Sequence, residues 1–339
     1  MDRKLTIVLP TFNRHQFVRR LITYYSEHPV NLIICDGSNN RLEIPSAGTH
    51  LNLNWIYYHI PGAKTLLQRI YLGLMAVQTE YFTFLDDGDL LLYSGIESAI
   101  GELTWGKDRW AAGGSVCLLN PIMKADSGRI LRIYSNWMHW SLPFTLEECF
   151  TPNDRLLKIL KEIRTANLYY LIFRTDIYRD AFLQVFSENI SAVEPVELVI
   201  SGIIAGTTSL ALGNYPFWIR TTVPSVSHEE FGVKREKWDR EGYGAELNKF
   251  ADIMVTWINK ISGSVIHRSE VLSYFEIHRT AHFGVPKVDL FGSLNPVEVW
   301  EQLLDRKITS LEHNDIQRAD SLYGLFPRGE RRYWYEKPI

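Results

Sequence analysis

Short apolar runs alternate along the first ninety residues with stretches of helical spacing. Residues 5–9 (LTIVL) form an apolar run stopped by Pro10, the pattern of a buried strand that ends in a loop. Phe17, Val18, Leu21, Ile22 and Tyr25 then fall on one face of a helix. A second run, 31–35 (NLIIC), ends in Asp36-Gly37-Ser38-Asn39, a cluster of turn formers. Residues 53–58 (LNWIYY) predict a third strand, broken by Pro61-Gly62. Leu66, Leu67, Ile70, Leu74 and Val77 predict a second helix. The run 81–85 (YFTFL) predicts a fourth strand, which leads directly into Asp86-Asp87-Gly88-Asp89.

This order predicts an α/β fold, with a Rossmann-like, mostly parallel sheet flanked by helices. Ligands of such sheets bind beyond the carboxyl ends of the strands. The clusters Thr11–Arg14, Asp36–Asn39 and Asp86–Asp89 all fall at those ends, so three strand ends direct polar groups at one crevice.

The middle of the chain is less regular. Residues 109–119 and 129–134 suggest a hairpin around Asp126-Ser127-Gly128, and 154–163 a helix. Residues 168–173 (LYYLIF) read as a strand and 176–186 as a helix. Another helix is expected to start after Pro195 and end near Gly206. Short strands at 208–212 and 216–221 would close the sheet. Beyond about residue 230 a charged segment, 231–242, precedes helical patterns at 245–261, 268–282, 296–305 and 313–323. The expected division is an α/β domain over 1–228 and a mainly helical C-terminal region over 229–339. That region would serve acceptor, homo-oligomer or partner contacts.

Composition narrows the function. With 36 Lys and Arg against 39 Asp and Glu, the net charge of −3 excludes a strongly basic nucleic-acid binder as a whole-chain reading. No apolar run reaches the roughly 18–20 residues that span a bilayer. The start, MDRKLTIVLP, enters a strand with no leader pattern, so a cytoplasmic location is expected, peripheral at most to the inner membrane face. Cys35, Cys117 and Cys149 are too scattered for a disulfide framework or a zinc site.

The acidic cluster carries the chemistry. Three carboxylates within four residues repel one another. A solvated, helix-capping turn is one account of them. Placed at the end of a buried strand, they are more simply explained by a divalent cation with oxygen ligands, whose remaining positions take substrate phosphates.

TIVLPTFNR, then LIICDGSN, then a helix, then YFTFLDDGD resemble the nucleotide-binding half of family 2 glycosyltransferases, which have the GT-A fold. The resemblance is clear over residues 5–90 and followable to about 228. PGAKTLLQR and ELVIS resemble a smaller bacterial and phage subgroup of unassigned acceptor. The resemblance implies a nucleotide-diphosphate sugar donor, probed first as a UDP-sugar, Mn2+ or Mg2+ as cofactor, and transfer to the hydroxyl of a glycan, lipid-linked or other acceptor. It places Pro10, Thr11, Asn13 and Arg14 along the nucleotide. It gives Asp36 a hydrogen bond from the base, Asp86 the ribose, and Asp87 and Asp89 the metal. Lys64 and Arg69 both correspond to a basic residue on the helix before the aspartates.

Inverting transfer needs a carboxylate at the acceptor hydroxyl. Relatives carry a Glu-Asp pair at the start of a late helix, but here Pro195 stands where the Asp belongs. Glu194 and Glu197 are the candidate bases, although acidic residues also suit a first helical turn without catalysis. His228 is a candidate third metal ligand, with Lys234, Arg235 and Lys237 as a lid. Trp137, His139 and Trp140 could form an acceptor platform. The competing readings are a GT-A module that binds sugar or scaffolds partners without turnover, and a nucleotidylyltransferase. The latter is disfavoured because LPTFNRHQF lacks a glycine-rich first loop.

Overall fold

The computed structural model describes residues 3–43, 53–63, 65–106, 108–123, 130–138, 151–162, 165–188, 193–207, 210–221 and 244–282. The first half runs β1 (Leu5–Thr11), α1 (His15–Tyr25), β2 (Asn31–Asp36), β3 (Asn54–His59), α2 (Leu66–Met75), β4 (Tyr81–Phe84), β5 (Leu90–Leu91) and α3 (Tyr93–Trp105). There follow β6 (Ala111–Met123), β7 (Ile130–Met138), α4 (Pro152–Glu162), a 3-10 helix (Thr165–Tyr170), β8 (Ile172–Arg174) and α5 (Thr175–Ser187). The last elements are α6 (Val193–Thr207), β9 (Leu210–Thr221), α7 (Gly244–Ser262) and α8 (Arg268–His282).

Among the described residues one sheet has the order β3-β2-β1-β4-β8-β6-β9-β5, with β7 paired to β6. The four strands foreseen from the apolar runs, β3, β2, β1 and β4, are parallel to one another. The short β8 runs antiparallel between β4 and β6. Beyond it β6 and β9 are again parallel, while β5 and β7 join antiparallel. All seven residues of β1 are buried, as a parallel strand covered on both faces requires. β3 ends the sheet, and its exposure alternates as one open face dictates.

Helix α1 buries the predicted face, Phe17, Val18, Leu21, Ile22 and Tyr25. Helix α2 begins with a capping box. The Thr65 hydroxyl accepts from the Gln68 N–H at 3.2 Å, and the Gln68 side chain accepts from the Thr65 N–H at 3.3 Å. Gly73 lets α2 lie close on the sheet, since a Cβ there would come within 2.6 Å of Val8 Cγ1 and 3.0 Å of Cys35 Sγ.

The structure departs from the sequence reading in four places. The run LYYLIF is not one strand. Residues up to Tyr170 complete a 3-10 helix, and only Ile172–Arg174 pair. Periodicity cannot separate the two for a short apolar run, and the helical turn lets Tyr169 stack on Phe84 with centroids 4.8 Å apart. The expected strands at 208–212 and 216–221 are one strand, β9, whose register with β6 shifts opposite Gly113–Val116 to absorb Pro216. Helix α6 starts at Val193, so Pro195 lies inside its first turn, where the missing N–H breaks no helical bond. Residues 90–105 hold β5 and α3, for which no element was foreseen.

Helices α7 and α8 share the core of the sheet domain. Phe250, Met254, Ile258 and Tyr274 join one buried cluster with Val199 and Ile203 of α6. Gly202 and Gly206 leave room on α6 for Met254 and Ile258. Buried Arg155 of α4 closes the far end of α6, its guanidinium donating to the carbonyls of Ala205 (3.3 Å) and Gly206. No described helix is long and apolar enough to cross a membrane.

Candidate active site

The strand order reverses between β1 and β4, and there the two strands part. Their pairing ends at Val8 and Phe84, with a last bond from the Leu85 N–H to the Val8 carbonyl at 3.1 Å. Val8 and Pro10 face the same edge of β1, so Pro10 lacks its N–H on the side that β4 has left. On the other edge the Gly37 N–H still donates to the Thr11 carbonyl at 3.0 Å. The chain ends of β1, β2 and β4 thus open around a crevice at the switch point, the ligand position of open α/β sheets.

The acidic turn closes on itself, with the Asp89 N–H donating to the Asp86 carbonyl at 3.0 Å. Two of its carboxylates, Asp87 and Asp89, are buried. Asp87 is only 5% exposed; Thr11 Oγ1 donates to its Oδ2 at 2.7 Å and Arg14 Nη1 lies 2.8 Å from its Oδ1. Burial pushes the Asp87 carboxyl up, while Arg14 and the Thr11 hydroxyl pull it down. The balance leaves it above the ordinary range. Asp87 therefore ties the end of β1 to the turn after β4.

The two outer carboxylates rest on aromatic edges. Tyr170 Oη donates to Asp86 Oδ2 at 2.8 Å, and Trp218 Nε1 donates to Asp89 Oδ2 at 3.1 Å. The two rings stack, with centroids 4.2 Å apart. Arg220, two residues along β9, carries its guanidinium 5.3 Å from the Trp218 ring centroid. Burial works against the Arg220 charge, but Tyr170, Asp89, Glu197 and Asp86 outweigh it and raise its pKa. Glu197 of α6 also acts on Tyr169 and Tyr170. One arginine, two tyrosines and three carboxylates from four separate segments thus share one electrostatic environment.

A second cluster surrounds Asp36, whose carboxylate is completely buried. Oδ1 accepts from the Ser38 N–H at 2.9 Å; Oδ2 accepts from Tyr57 Oη at 2.6 Å and lies 2.9 Å from His15 Nε2. Burial raises the Asp36 carboxyl, but the Ser38 and Tyr57 bonds and the nearby His15 more than offset it, so it sits below the ordinary range. Asn13 holds the left-handed conformation (φ 57°), and its N–H donates to the Ser38 hydroxyl at 2.7 Å, locking the ends of β1 and β2 together. A cavity of about 700 Å³ lies beyond Tyr57 and His59 against α2, separate from the acidic turn.

Of the residues singled out in the sequence, Thr11, Arg14, Asp86, Asp87 and Asp89 come together. Arg69 joins them from below. It is buried, donates to the Ala63 carbonyl at 3.0 Å, lies 5.3 Å over the Phe12 ring and lowers the Asp87 pKa. Pro10 lines the strand end, and Asp36 makes its bonds to protein groups. Lys64, His228, His139, Trp140 and the proposed lid lie outside the described residues, as do the side chains of Trp137 and Glu194. Among the described residues no group of three or more His, Cys, Asp and Glu is placed to hold a metal. Sequence reasoning missed His15, Tyr57, Tyr170, Trp218 and Arg220. The spacing of PFWIR puts Trp218 and Arg220 on one face of a strand, but nothing local links Trp218 to Asp89, 129 positions away.

No protein-family model matches the chain, and no curated protein matches it. Among solved structures the chain is similar to S. aureus TarS 1-349 in complex with UDP-GlcNAc, at 12% identity over 82% of this chain and 73% of that one (TM-score 0.49). The same protein in complex with UDP matches at 13% identity over 89% and 78% (TM-score 0.44). A further structure of TarS 1-349 matches at 12% identity over 86% and 100% (TM-score 0.42). A likeness this distant carries no functional weight.

Proposed function

We propose that this chain is a metal-dependent glycosyltransferase of the GT-A type, moving a sugar from a nucleotide-diphosphate donor, a UDP-sugar first among them, to an acceptor hydroxyl. The observation that carries the reading is the acidic turn at the strand-order reversal. Asp86 and Asp89 are held at its two ends on Tyr170 and Trp218, among the cations Arg14, Arg69 and Arg220. A sugar nucleotide needs such a place, because its diphosphate leaves only when its growing charge is met.

Asp86 and Asp89 offer hard oxygen donors that suit Mn2+ or Mg2+. Two carboxylates suffice where substrate phosphates complete the shell. When bound, the ion would neutralise the diphosphate as the sugar C1–O bond breaks. The resemblance gives Asp87 and Asp89 the metal and Asp86 the ribose; with Asp87 engaged by Thr11 and Arg14, it would orient the turn instead, and Asp86 would take its place at the metal. Arg220 would add a positive charge beside the leaving group. Asp36 would order the base pocket by holding the half-buried His15 and Tyr57. Glu197, electrostatically coupled to Tyr170 and Arg220, would be the base. It would take the acceptor hydroxyl proton as that oxygen bonds C1 from the face opposite the diphosphate, inverting the centre.

The position of Pro195 in the first turn of α6 favours a second reading, a GT-A module that binds sugar nucleotide without turnover. A thermal-shift panel of nucleotides and UDP-sugars, with and without MnCl2, tests both, since a ligand of the folded state raises its melting point. UDP with Mn2+ should stabilise the protein and EDTA should reduce the effect; no shift with any nucleotide sinks both readings. Slow release of free sugar from a UDP-sugar, lost in Asp89→Ala, separates the enzyme from the binder.

A further inference from the structure

We propose that the stacked Tyr170–Trp218 pair is a positioning bracket that fixes the two outer carboxylates of the acidic turn for metal-dependent binding of the donor diphosphate. The inference rests on the function proposed above and assigns that site two residues from distant segments.

The turn alone does not hold its carboxylates. Its own bond, from the Asp89 N–H to the Asp86 carbonyl, sets the backbone and not the direction of either carboxylate. Like charges at its two ends favour rotation apart. The bracket opposes this. Tyr170 closes the 3-10 helix before β8, and Trp218 lies on β9. Neither segment touches the other in sequence, yet their rings stack at 4.2 Å and 29°, so the two donors are carried on one rigid unit. Each donates to one oxygen of one carboxylate, Tyr170 to Asp86 at 2.8 Å and Trp218 to Asp89 at 3.1 Å. Fixing one oxygen fixes the direction of the other, the quantity on which divalent-ion geometry depends. The bracket is itself braced, since Tyr169 stacks on Phe84 of β4, two residues before the turn. Trp218 meanwhile forms a register pair with Leu91 just after the turn.

The test removes each donor while keeping a ring. Tyr170→Phe and Trp218→Phe, made separately in the full chain, are titrated with UDP in the presence of MnCl2 and in EDTA. Each should weaken UDP binding in Mn2+ at least tenfold while changing binding in EDTA less than twofold. A structural role alone would not produce that split. Tyr178→Phe is the control, because it removes a buried hydroxyl 2.7 Å from Thr207 away from the turn and should leave both constants unchanged. If both site variants bind UDP as the wild type does, or lose affinity equally with and without metal, the bracket is overturned while the proposed function stands. If the wild type itself shows no Mn2+-dependent UDP binding, the proposed function falls and the bracket falls with it.

Discussion

Arg14 and Asp87 form a buried ion pair, guanidinium Nη1 to carboxylate Oδ1 at 2.8 Å, that joins the residue before α1 to the turn after β4. The guanidinium also lies 4.1 Å from the Phe17 ring centroid, so helix α1 and the acidic turn meet in one side chain. Arg14→Ala would leave a desolvated carboxylate without its partner. The expected destabilisation is ~3–5 kcal/mol, measured by denaturant unfolding, with a smaller loss in Arg14→Lys. A loss below ~1 kcal/mol would mean that Asp87 is not buried as described.

Asp36 predicts the response to acid. Its folded pKa lies below its ordinary value of 3.8, so the folded state holds its proton less readily than the unfolded chain. The carboxylate therefore contributes stability that is fully present above that value and fades as pH falls through the lower, folded one. Asp36→Asn should flatten the loss of stability below about pH 4 relative to the wild type. The check is a set of melting curves from pH 3 to pH 7; parallel acid limbs for the two proteins would count against the bonded carboxylate.

Glu197→Gln and Glu194→Gln should separate the two candidate bases. The first should cut turnover by roughly 100-fold or more with UDP affinity unchanged. The second should retain most activity. Donor-substrate kinetics beside UDP titrations give both numbers, and the opposite ranking would move the base to the start of α6.

Gly37 sits where the chain leaves β2, against Arg69. A Cβ there would come within 2.7 Å of the Ala63 carbonyl and 2.8 Å of Arg69 Nη1, the two atoms of the bond that anchors Arg69. Gly37→Ala should cost ~1–3 kcal/mol and weaken UDP binding together with it. Ala at Gly62, where an added Cβ meets nothing, should leave both unaltered.

The parallel half of the sheet was legible because each strand is a continuous apolar run closed by turn residues. YFTFL and NLIIC are buried on both faces and say so in their composition. The mixed half was less legible. LYYLIF is equally apolar as a strand or a 3-10 helix, and β5 is two residues long and exists only because β9 lies beside it. In the site, the turn and its carboxylates were visible as a charge cluster after a strand. Their partners were not, since a tyrosine in an apolar run looks like core until its hydroxyl is found on Asp86.

The chain's order of apolar runs and polar clusters determined by itself that a β/α half exists and that its strand ends carry carboxylates and cations. Those facts follow from local pattern, because burial and turn formation act over a few residues. Which carboxylate pairs with Arg14, and which two rest on Tyr170 and Trp218, only the tertiary structure decided. Residues far apart in sequence compete for the same few hydrogen-bond directions, and packing settles that competition through contacts no local spacing encodes.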